Sequence, residues 1–542
     1  MAFPSRGTCH RPTVTGRRGM IASAHPLASV AGLRILMAGG NAVDAAIATA
    51  AALNVAEPFM SGLGGIGYMN ISCASRNEHQ ILDYVGLTPR AAELSLYDHV
   101  EQADRGPLSP IVPGACGGWL AALERYGTMD AATVFEPAIE YAEQGIGMTV
   151  TGSRFFGAVA SALHETGAAT YLIDGRAPRP GDVLVQADLA QTYRIIAAEG
   201  ADAFYRGAIA DKIVSFMSDN GGLITAEDLA SFTPAWLDPV DVDYRGFRVC
   251  VPPPPCQAVQ YLETLNIMEG FDVTEMGHNS AQTLHTFLEA AKLAIADRVE
   301  YAAIDEPPTA GLLSKAYAAQ RRAQISDRAQ PRSERYVSAG SEAGVPAGDP
   351  YAWMKSECTT HFDAIDDSGN AVSVTQSLGS AFGSGMVVPG TGLALNNFMR
   401  WFDMEPQSPN AIGPAKKNEM CMSPVQVFDD AGLRFLIGTP GSYGIMQTTP
   451  QMIMNIIDHR MSIQAAIDAP RVRSMDGLEV SAETRIDGDV LAELERRGHR
   501  LVLEGGDWTP GVGGGQGIYV DADTSTFVGG ADPRRDGYAL GW

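Results

Sequence analysis

The chain is poor in the residues that staple or chelate. Its seven cysteines are an odd number, spread from Cys9 to Cys421 without a Cys-x-x-Cys pair or a Cys/His cluster of zinc spacing. That pattern excludes a disulfide scaffold and a structural zinc site, and neither a metal nor a cofactor is expected. Positive charge is also scarce: 39 Lys and Arg stand against 63 Asp and Glu, a formal net charge of -24. With no basic run to offset that field, nucleic acid and anionic membrane are excluded as partners. No stretch approaches about eighteen uncharged apolar residues, and residues 1–18 lack the apolar segment of a secretory signal. A cytoplasmic location is the expectation.

What is present is globular. Apolar residues make up 45 % and charged residues 19 % of the 542 positions, close to the average for folded domains. No internal repeat is visible, and the pattern fits one α/β unit in two linked halves. Gly39-Gly40-Asn41 precedes an Ala-rich run over residues 42–53 that predicts a buried helix. The following EPFMSGLGGIGYM packs Gly and Ser among apolar residues, the texture of a structural loop where backbones approach closely. Two helices are expected after Pro113-Gly114 and after Pro137, stopping at Gly127 and Gly145. A strand, RGFRVCV, runs into four consecutive prolines; helical spacing resumes over residues 262–268 and 284–301. Residues 321–349 read as an exposed linker. Beyond it, THFDAIDDSGNAVSVTQSL alternates about an Asp-Ser-Gly-Asn turn, predicting a hairpin with Asp366 and Asp367 solvated in its turn. Short strands near residues 393–395, 425–428 and 435–437 and a helix over 447–458 complete the outline.

Chemistry could reside where the hairpin begins, at Cys358-Thr359-Thr360-His361. A threonine hydroxyl is a weak nucleophile unless a base adjoins it. The threonine's own α-amine, with a reference pKa of about 7.7 to 8.0, would serve, but only after the chain cuts itself before that residue. By residue type alone the segment reads as a Thr-rich strand start.

Several runs alter that balance. GGNAVDAAIATAAALNVAEPFMSGLGGIGYM, FYRGAIADKIV with NGGLITAEDLASF, DYRGFRV with PPPP, LLSKAYAAQRRAQI, TTHFDAIDDSGNAVSVTQSL, FGSGMVVPGTGLALNN, and MSPVQVF with GTPGS follow one another along nearly the whole chain. In content and order they resemble the γ-glutamyltranspeptidase family. The resemblance implies an α+β, N-terminal-nucleophile hydrolase fold, a four-layer αββα sandwich made as a self-cleaving precursor. It implies a large subunit of residues 1–358, ending in a mobile linker over 321–358, and a small subunit of residues 359–542. Further association of such pairs is left open. Thr359 would be nucleophile and α-amine base, with Cys358 the last residue of the large subunit. Ser377 would occupy the family's second hydroxyl position, and the backbone N–H groups of Gly441 and Ser442 would serve the oxyanion. His361 is taken as structural, with a catalytic base the minor reading.

The departures from the family pattern concern recognition. Where the family has an Arg and paired Ser for a γ-glutamyl carboxylate, this chain has Val85, Met420 and Cys421. Where it has Asn, Gln and Asp for the ammonium, this chain has Gly379, Phe398 and Trp401. An open, apolar and aromatic substrate pocket follows as an expectation, with the charged contacts gone and Arg400 either binding an anion or pairing with an acidic neighbour. The expected activity is hydrolysis of a non-γ-glutamyl small-molecule amide, such as an oxamate-type acid amide or an apolar acyl amide. The alternatives are a C–C bond hydrolase releasing oxalate from an α-keto acid, a true γ-glutamyltransferase or glutathione hydrolase, and an unprocessed, non-catalytic homologue.

Overall fold

A computed structural model describes residues 7–331 and 358–542, apart from 302, 305, 476 and 507. Fourteen strands build its two large sheets. In chain order they are β1 (Val14–Gly16), β2 (Gly19–Ser23), β3 (Ile66–Cys73), β4 (Glu78–Asp83), β5 (Ala235–Leu237), β6 (Val240–Tyr244), β7 (Phe247–Val251), β8 (Cys358–Asp366), β9 (Ala371–Gly379), β10 (Val425–Asp429), β11 (Gly432–Gly438), β12 (Gln516–Asp521), β13 (Thr526–Ala531) and β14 (Tyr538–Gly541). One seven-stranded sheet runs β14-β2-β8-β9-β3-β4-β5, the other β1-β13-β12-β11-β10-β7-β6.

The alternation of side chains along β8 explains how the sheets stack. Phe362 and Ala364 join a core shared with the helices α1 (Pro26–Met37) and α2 (Ala42–Ala56). Ile365, on the opposite face, joins Leu436 and Ile518 of the second sheet. Even-numbered residues of β8 thus face helices and odd-numbered ones face the other sheet. The second sheet is covered in turn by helices that include α3 (Val259–Met268), α4 (Ala281–Tyr301) and α5 (Ile445–Ile457). Helix, sheet, sheet and helix make the four-layer α+β sandwich. Among the described residues, no helix is long and apolar enough to cross a membrane.

Helix α2 forms where the Ala-rich run predicted it. Asn41 caps it, accepting from Val43 N and Asp44 N, while Asp44 returns a carboxylate to the Asn41 N–H. All fifteen of its residues are buried, as its nearly uniform apolar composition requires.

Three expectations need correction. The helix assigned to follow Pro137 spans Ala131–Gln144 instead, started by the Asp130 cap, with the proline inside it. Arg321, the expected first residue of the linker, belongs to the helix Lys315–Arg322, and its guanidinium pairs with the buried Asp297. The rest of that linker lies mostly at residues 332–357, outside the described residues. Asp366 is not solvated. Only 5 % exposed, it accepts from Ala42 N at the start of α2 and from Ser368 N and Asn370 N in the hairpin turn. A carboxylate at a helix N-terminus is favourably placed, so the turn is tied to the helix beneath it while Asp367 stays exposed.

Candidate active site

Cys358 and Thr359 open β8, in the middle of the first sheet. Cys358 pairs with Gly379 and Thr360 with Gln376, so the register slips between them and two residues of β9, Ser377 and Leu378, oppose Thr359 alone. This bulge re-aims Ser377. Its Oγ donates to the Cys358 carbonyl at 2.5 Å and accepts from Thr359 Oγ1 at 3.3 Å and from Gly379 N at 2.8 Å. One donor and two acceptor sites are all that a serine hydroxyl offers, and all are in use. Gly65 permits the arrangement from below, since a Cβ there would fall 2.4 Å from the Ser377 carbonyl oxygen. The glycine-rich loop therefore makes its predicted close approach against the strand carrying Ser377.

His361 shares the inter-sheet face with Thr359. Its Nδ1 meets Thr375 Oγ1 at 2.9 Å and its Nε2 meets Asp363 Oδ2 at 3.2 Å. Its ring fills the space above Gly438, where a Cβ would lie 2.2 Å from ring Cε1. Both nitrogens are engaged away from Thr359, which supports the structural reading. Gly438 ends β11, so this contact sets where the chain departs into Thr439-Pro440-Gly441-Ser442. In that loop Gly441 has φ 134° and Ser442 φ 52°, backbone that favours glycine at the first position and is uncommon at the second. The glycine-rich segment beside it is fastened by Gly514 N donating to Thr439 Oγ1 and Gly515 N donating to Asp532 Oδ2, each at 2.9 Å. Next in the chain, Tyr443 lies under the Arg298 guanidinium, 4.8 Å from its carbon to the ring centroid.

On the opposite face of β8, Thr360 Oγ1 donates to Glu57 Oε2 at 3.4 Å. Burial pushes the Glu57 carboxyl up to about 8, against the opposing charge of Arg535. Glu57 carried no signal in the sequence beyond standing before a proline, and only the fold brings it to Thr360.

The residues expected to line an open apolar pocket are instead packed shut. Val85, Phe398, Trp401, Met420 and Cys421 are each at most 3 % exposed and belong to one hydrophobic cluster. Phe398 and Trp401 rings lie 5.0 Å apart. Met420 is strapped to the proline run, its N–H donating to Pro255 O and its carbonyl accepting from Gln257 N. Burial pushes the Cys421 thiol up to about 12, marking it as wall and not as a reactive group. At Gly379, which has φ 101°, a Cβ would strike Asn397 Oδ1 at 2.1 Å and approach the Trp401 ring at 3.3 Å. The positions at which the resemblance placed recognition of an amino-acid head are thus packed by this chain's own side chains.

Arg400 Nη1 pairs with Asp104 Oδ2 at 2.6 Å, which decides its two readings in favour of the acidic neighbour. Asp104 further accepts from Asn397 Nδ2 at 3.0 Å and Ser380 Oγ at 3.1 Å. Beside it, Arg105 Nη1 donates to the carbonyls of Ala381 and Gly383, at 2.8 and 2.7 Å. Asp104 and Arg105 lie more than 250 residues before Thr359, in a segment without a motif, so nothing in the sequence pointed to them.

A strand-borne hydroxyl at a bulge, a serine bridging it to the preceding carbonyl, and a glycine-threaded loop at the end of the neighbouring sheet's strand, all within an αββα sandwich, define an N-terminal-nucleophile hydrolase. A γ-glutamyltranspeptidase family model matches residues 28–542. Among curated proteins, the chain is 37 % identical to the acylase ACY 1 proenzyme of Pseudomonas sp. (strain SE83), covering 98 % of this chain and 94 % of that one. It is 36 % identical to the glutathione hydrolase proenzyme of Escherichia coli (strain K12), covering 96 % and 91 %. Among solved structures, the cephalosporin acylase from Bacillus halodurans superposes with a TM-score of 0.89 at 34 % identity, over 100 % of this chain and 98 % of that one. The chain belongs to the γ-glutamyltranspeptidase family and is a hydrolase.

Proposed function

We propose that the protein is a self-cleaving acylase whose nucleophile is Thr359 and whose substrate is an amide other than a γ-glutamyl one. The observation that carries this reading is the Ser377 bridge. In the precursor, Thr359 Oγ1 attacks the Cys358 carbonyl carbon and passes its proton to Ser377 Oγ, while Ser377 gives its own proton to the carbonyl oxygen. Collapse of that adduct breaks the bond to the Thr359 nitrogen, which takes up a proton. An ester remains, and water cleaves it to leave a carboxylate on Cys358 and a free amine and hydroxyl on Thr359.

In the mature enzyme the α-amine takes the hydroxyl proton as Thr359 Oγ1 attacks the substrate amide. The N–H groups of Gly441 and Ser442 receive the oxyanion. The leaving amine departs with the proton, and water, deprotonated by the same α-amine, discharges the acyl-enzyme. The filled head-group volume at Gly379, Trp401, Met420 and Cys421 supports excluding γ-glutamyl donors, and the likeness to named acylases supports an amide.

The reading is tested by mass spectrometry of purified protein, expected to give fragments dividing between Cys358 and Thr359, followed by a panel of N-acyl and γ-glutamyl anilides. An uncut chain that hydrolyses amides would overturn the assignment of Thr359.

A further inference from the structure

One face of α4 meets the turn between the helix Gly488–Arg497 and the strand Arg500–Glu504. Gly498 closes that helix in the left-handed region, at φ 106°, and the turn it makes carries His499 inward, to 3 % exposure. His285 and Glu289 stand one turn apart on α4 and so share a face; both are buried, Glu289 completely. One ligand atom from each of His285, Glu289 and His499 lies within 4.8 Å of the others. No other trio of His, Cys, Asp and Glu gathers this closely among the described residues.

Hydrogen bonds fix which nitrogens face inward. His285 Nε2 lies 2.7 Å from the Ser326 carbonyl oxygen, which can only accept, so Nε2 carries the proton and the lone pair is on Nδ1. That lone pair meets His499 Nε2, 2.9 Å away. A carbonyl on the far nitrogen of an imidazole is what orients a metal-binding histidine and raises its basicity. His499 Nδ1 is sealed from solvent with no hydrogen-bond partner among the described residues, so nothing there holds the ring to one tautomer and its proton can move to Nδ1. Both imidazoles can then offer a lone pair to one point. At metal bonds of about 2.1 Å, neighbouring ligands lie about 3.0 to 3.4 Å apart, close to the spacing of these two nitrogens. Glu289 already faces a cation: Lys292 Nζ lies 2.5 Å from its Oε1 and also donates to the Gln330 carbonyl at 2.8 Å. A metal ion would take the place of that ammonium at Glu289 and leave Lys292 its carbonyl.

We propose that His285, Glu289 and His499 form a binding site for a divalent transition metal of the zinc type, with water completing its shell. Two imidazoles and a carboxylate are a donor set that suits zinc, cobalt and nickel, whereas magnesium and calcium take oxygen shells. The site stands apart from Thr359, and its role is structural. His285 and Glu289 precede Cys358 in the chain and His499 follows it, 214 residues beyond His285, so the ion ties together the two pieces that a cut before Thr359 would leave. It also secures the segment that leads toward the cut, since Ser326 O accepts from His285 and Gln330 N donates to both Glu289 oxygens at 3.3 Å. The spacing of these residues in the sequence carries no zinc signature because only the fold brings His499 to α4.

The test uses the full chain, stripped of metal with a chelator and dialysed. Calorimetry with Zn²⁺ is expected to show one site per chain with a Kd of about 1 μM or tighter, and calorimetry with Mg²⁺ to show none. Co²⁺ should give a visible absorption band that Zn²⁺ abolishes. Glu289→Gln and His499→Gln should each weaken Zn²⁺ binding by about tenfold or more, and the variant combining His285→Gln with His499→Gln should not bind it. Saturating Zn²⁺ should raise the melting temperature of the wild type by about 2 °C or more and leave that of the double variant where it was. Should a variant fail to fold, wild-type crystals soaked in Zn²⁺ decide, with anomalous scattering at the zinc edge expected between His285 Nδ1, His499 Nε2 and Glu289. Zinc found only on exposed residues, binding undiminished in the double variant, or no binding at all would overturn the proposal. None of these measurements involves a substrate, so their failure would leave the reading of Thr359 standing.

Discussion

Ser377 Oγ lies 2.5 Å from the carbonyl oxygen of Cys358 and 3.3 Å from Thr359 Oγ1, so one hydroxyl touches both the attacking group and the bond it would break. Removing it in Ser377→Ala should slow self-cleavage by about 10²-fold or more, the usual contribution of a placed proton donor. A denaturing-gel time course would show full-length chain accumulating. Ser377→Thr keeps the oxygen and should still mature, whereas Thr359→Ala should remain one band indefinitely.

Glutathione and γ-glutamyl anilide should be poor substrates. Burying their carboxylate and ammonium without partners would cost about 3–5 kcal/mol, or roughly 10²- to 10⁴-fold in affinity. Steady-state assays of γ-glutamyl and simple acyl anilides side by side would measure this. Comparable kcat/KM for the two would mean that the packed wall of Phe398, Trp401, Met420 and Cys421 opens in the mature enzyme.

Glu57 should make stability fall with rising pH. Burial pushes its carboxyl up to about 8 in the folded protein from its ordinary 4.5, so the native state binds the extra proton. The associated stabilisation is complete below about pH 4.5 and is lost as pH rises through 8, an effect of order several kcal/mol. Thermal unfolding of wild type and Glu57→Gln at pH 5 and pH 8.5 should show the wild type losing more on the alkaline side. Parallel losses would mean that Glu57 ionises without penalty.

Thiol chemistry should distinguish Cys9 from the rest. Cys9 is exposed and the other six cysteines are buried; burial holds Cys116 and Cys256 far above the usual thiol range and Cys250 and Cys421 at about 12. A disulfide reagent at pH 8 should therefore label one thiol per native chain quickly and all seven only in denaturant. Fast loss of a second thiol would show that a buried site breathes.

Local signals made part of this molecule legible in advance. The hairpin of β8 and β9 follows from strict alternation about a turn, and α2 from an Ala-rich run with an Asn cap. Pro137 misled because the Asp130 cap, seven residues earlier, sets where that helix begins. Asp366 reads as a solvated turn residue until a helix some 320 residues earlier in the chain delivers an N–H to it. The family pattern correctly singled out Thr359 and Ser377 as neighbours, because they face each other across one hairpin. It could say what Val85, Met420 and Cys421 had lost, but not that their side chains close the space. Glu57, Asp104 and Arg105 were invisible, since what matters about them is position, supplied only by tertiary packing.

The strand order has a consequence for what a cut can release. In the first sheet β9 and all of β8 but Cys358, from beyond the proposed break before Thr359, lie between β2 and β3, from before it; in the second, β10 to β13 lie between β1 and β7. The two fragments left by a break before Thr359 would be interleaved like the fingers of clasped hands, each completing the other's hydrogen-bond ladders. They should travel as one particle through any native column and part only when both sheets are torn open, so maturation frees a chain end without freeing a chain.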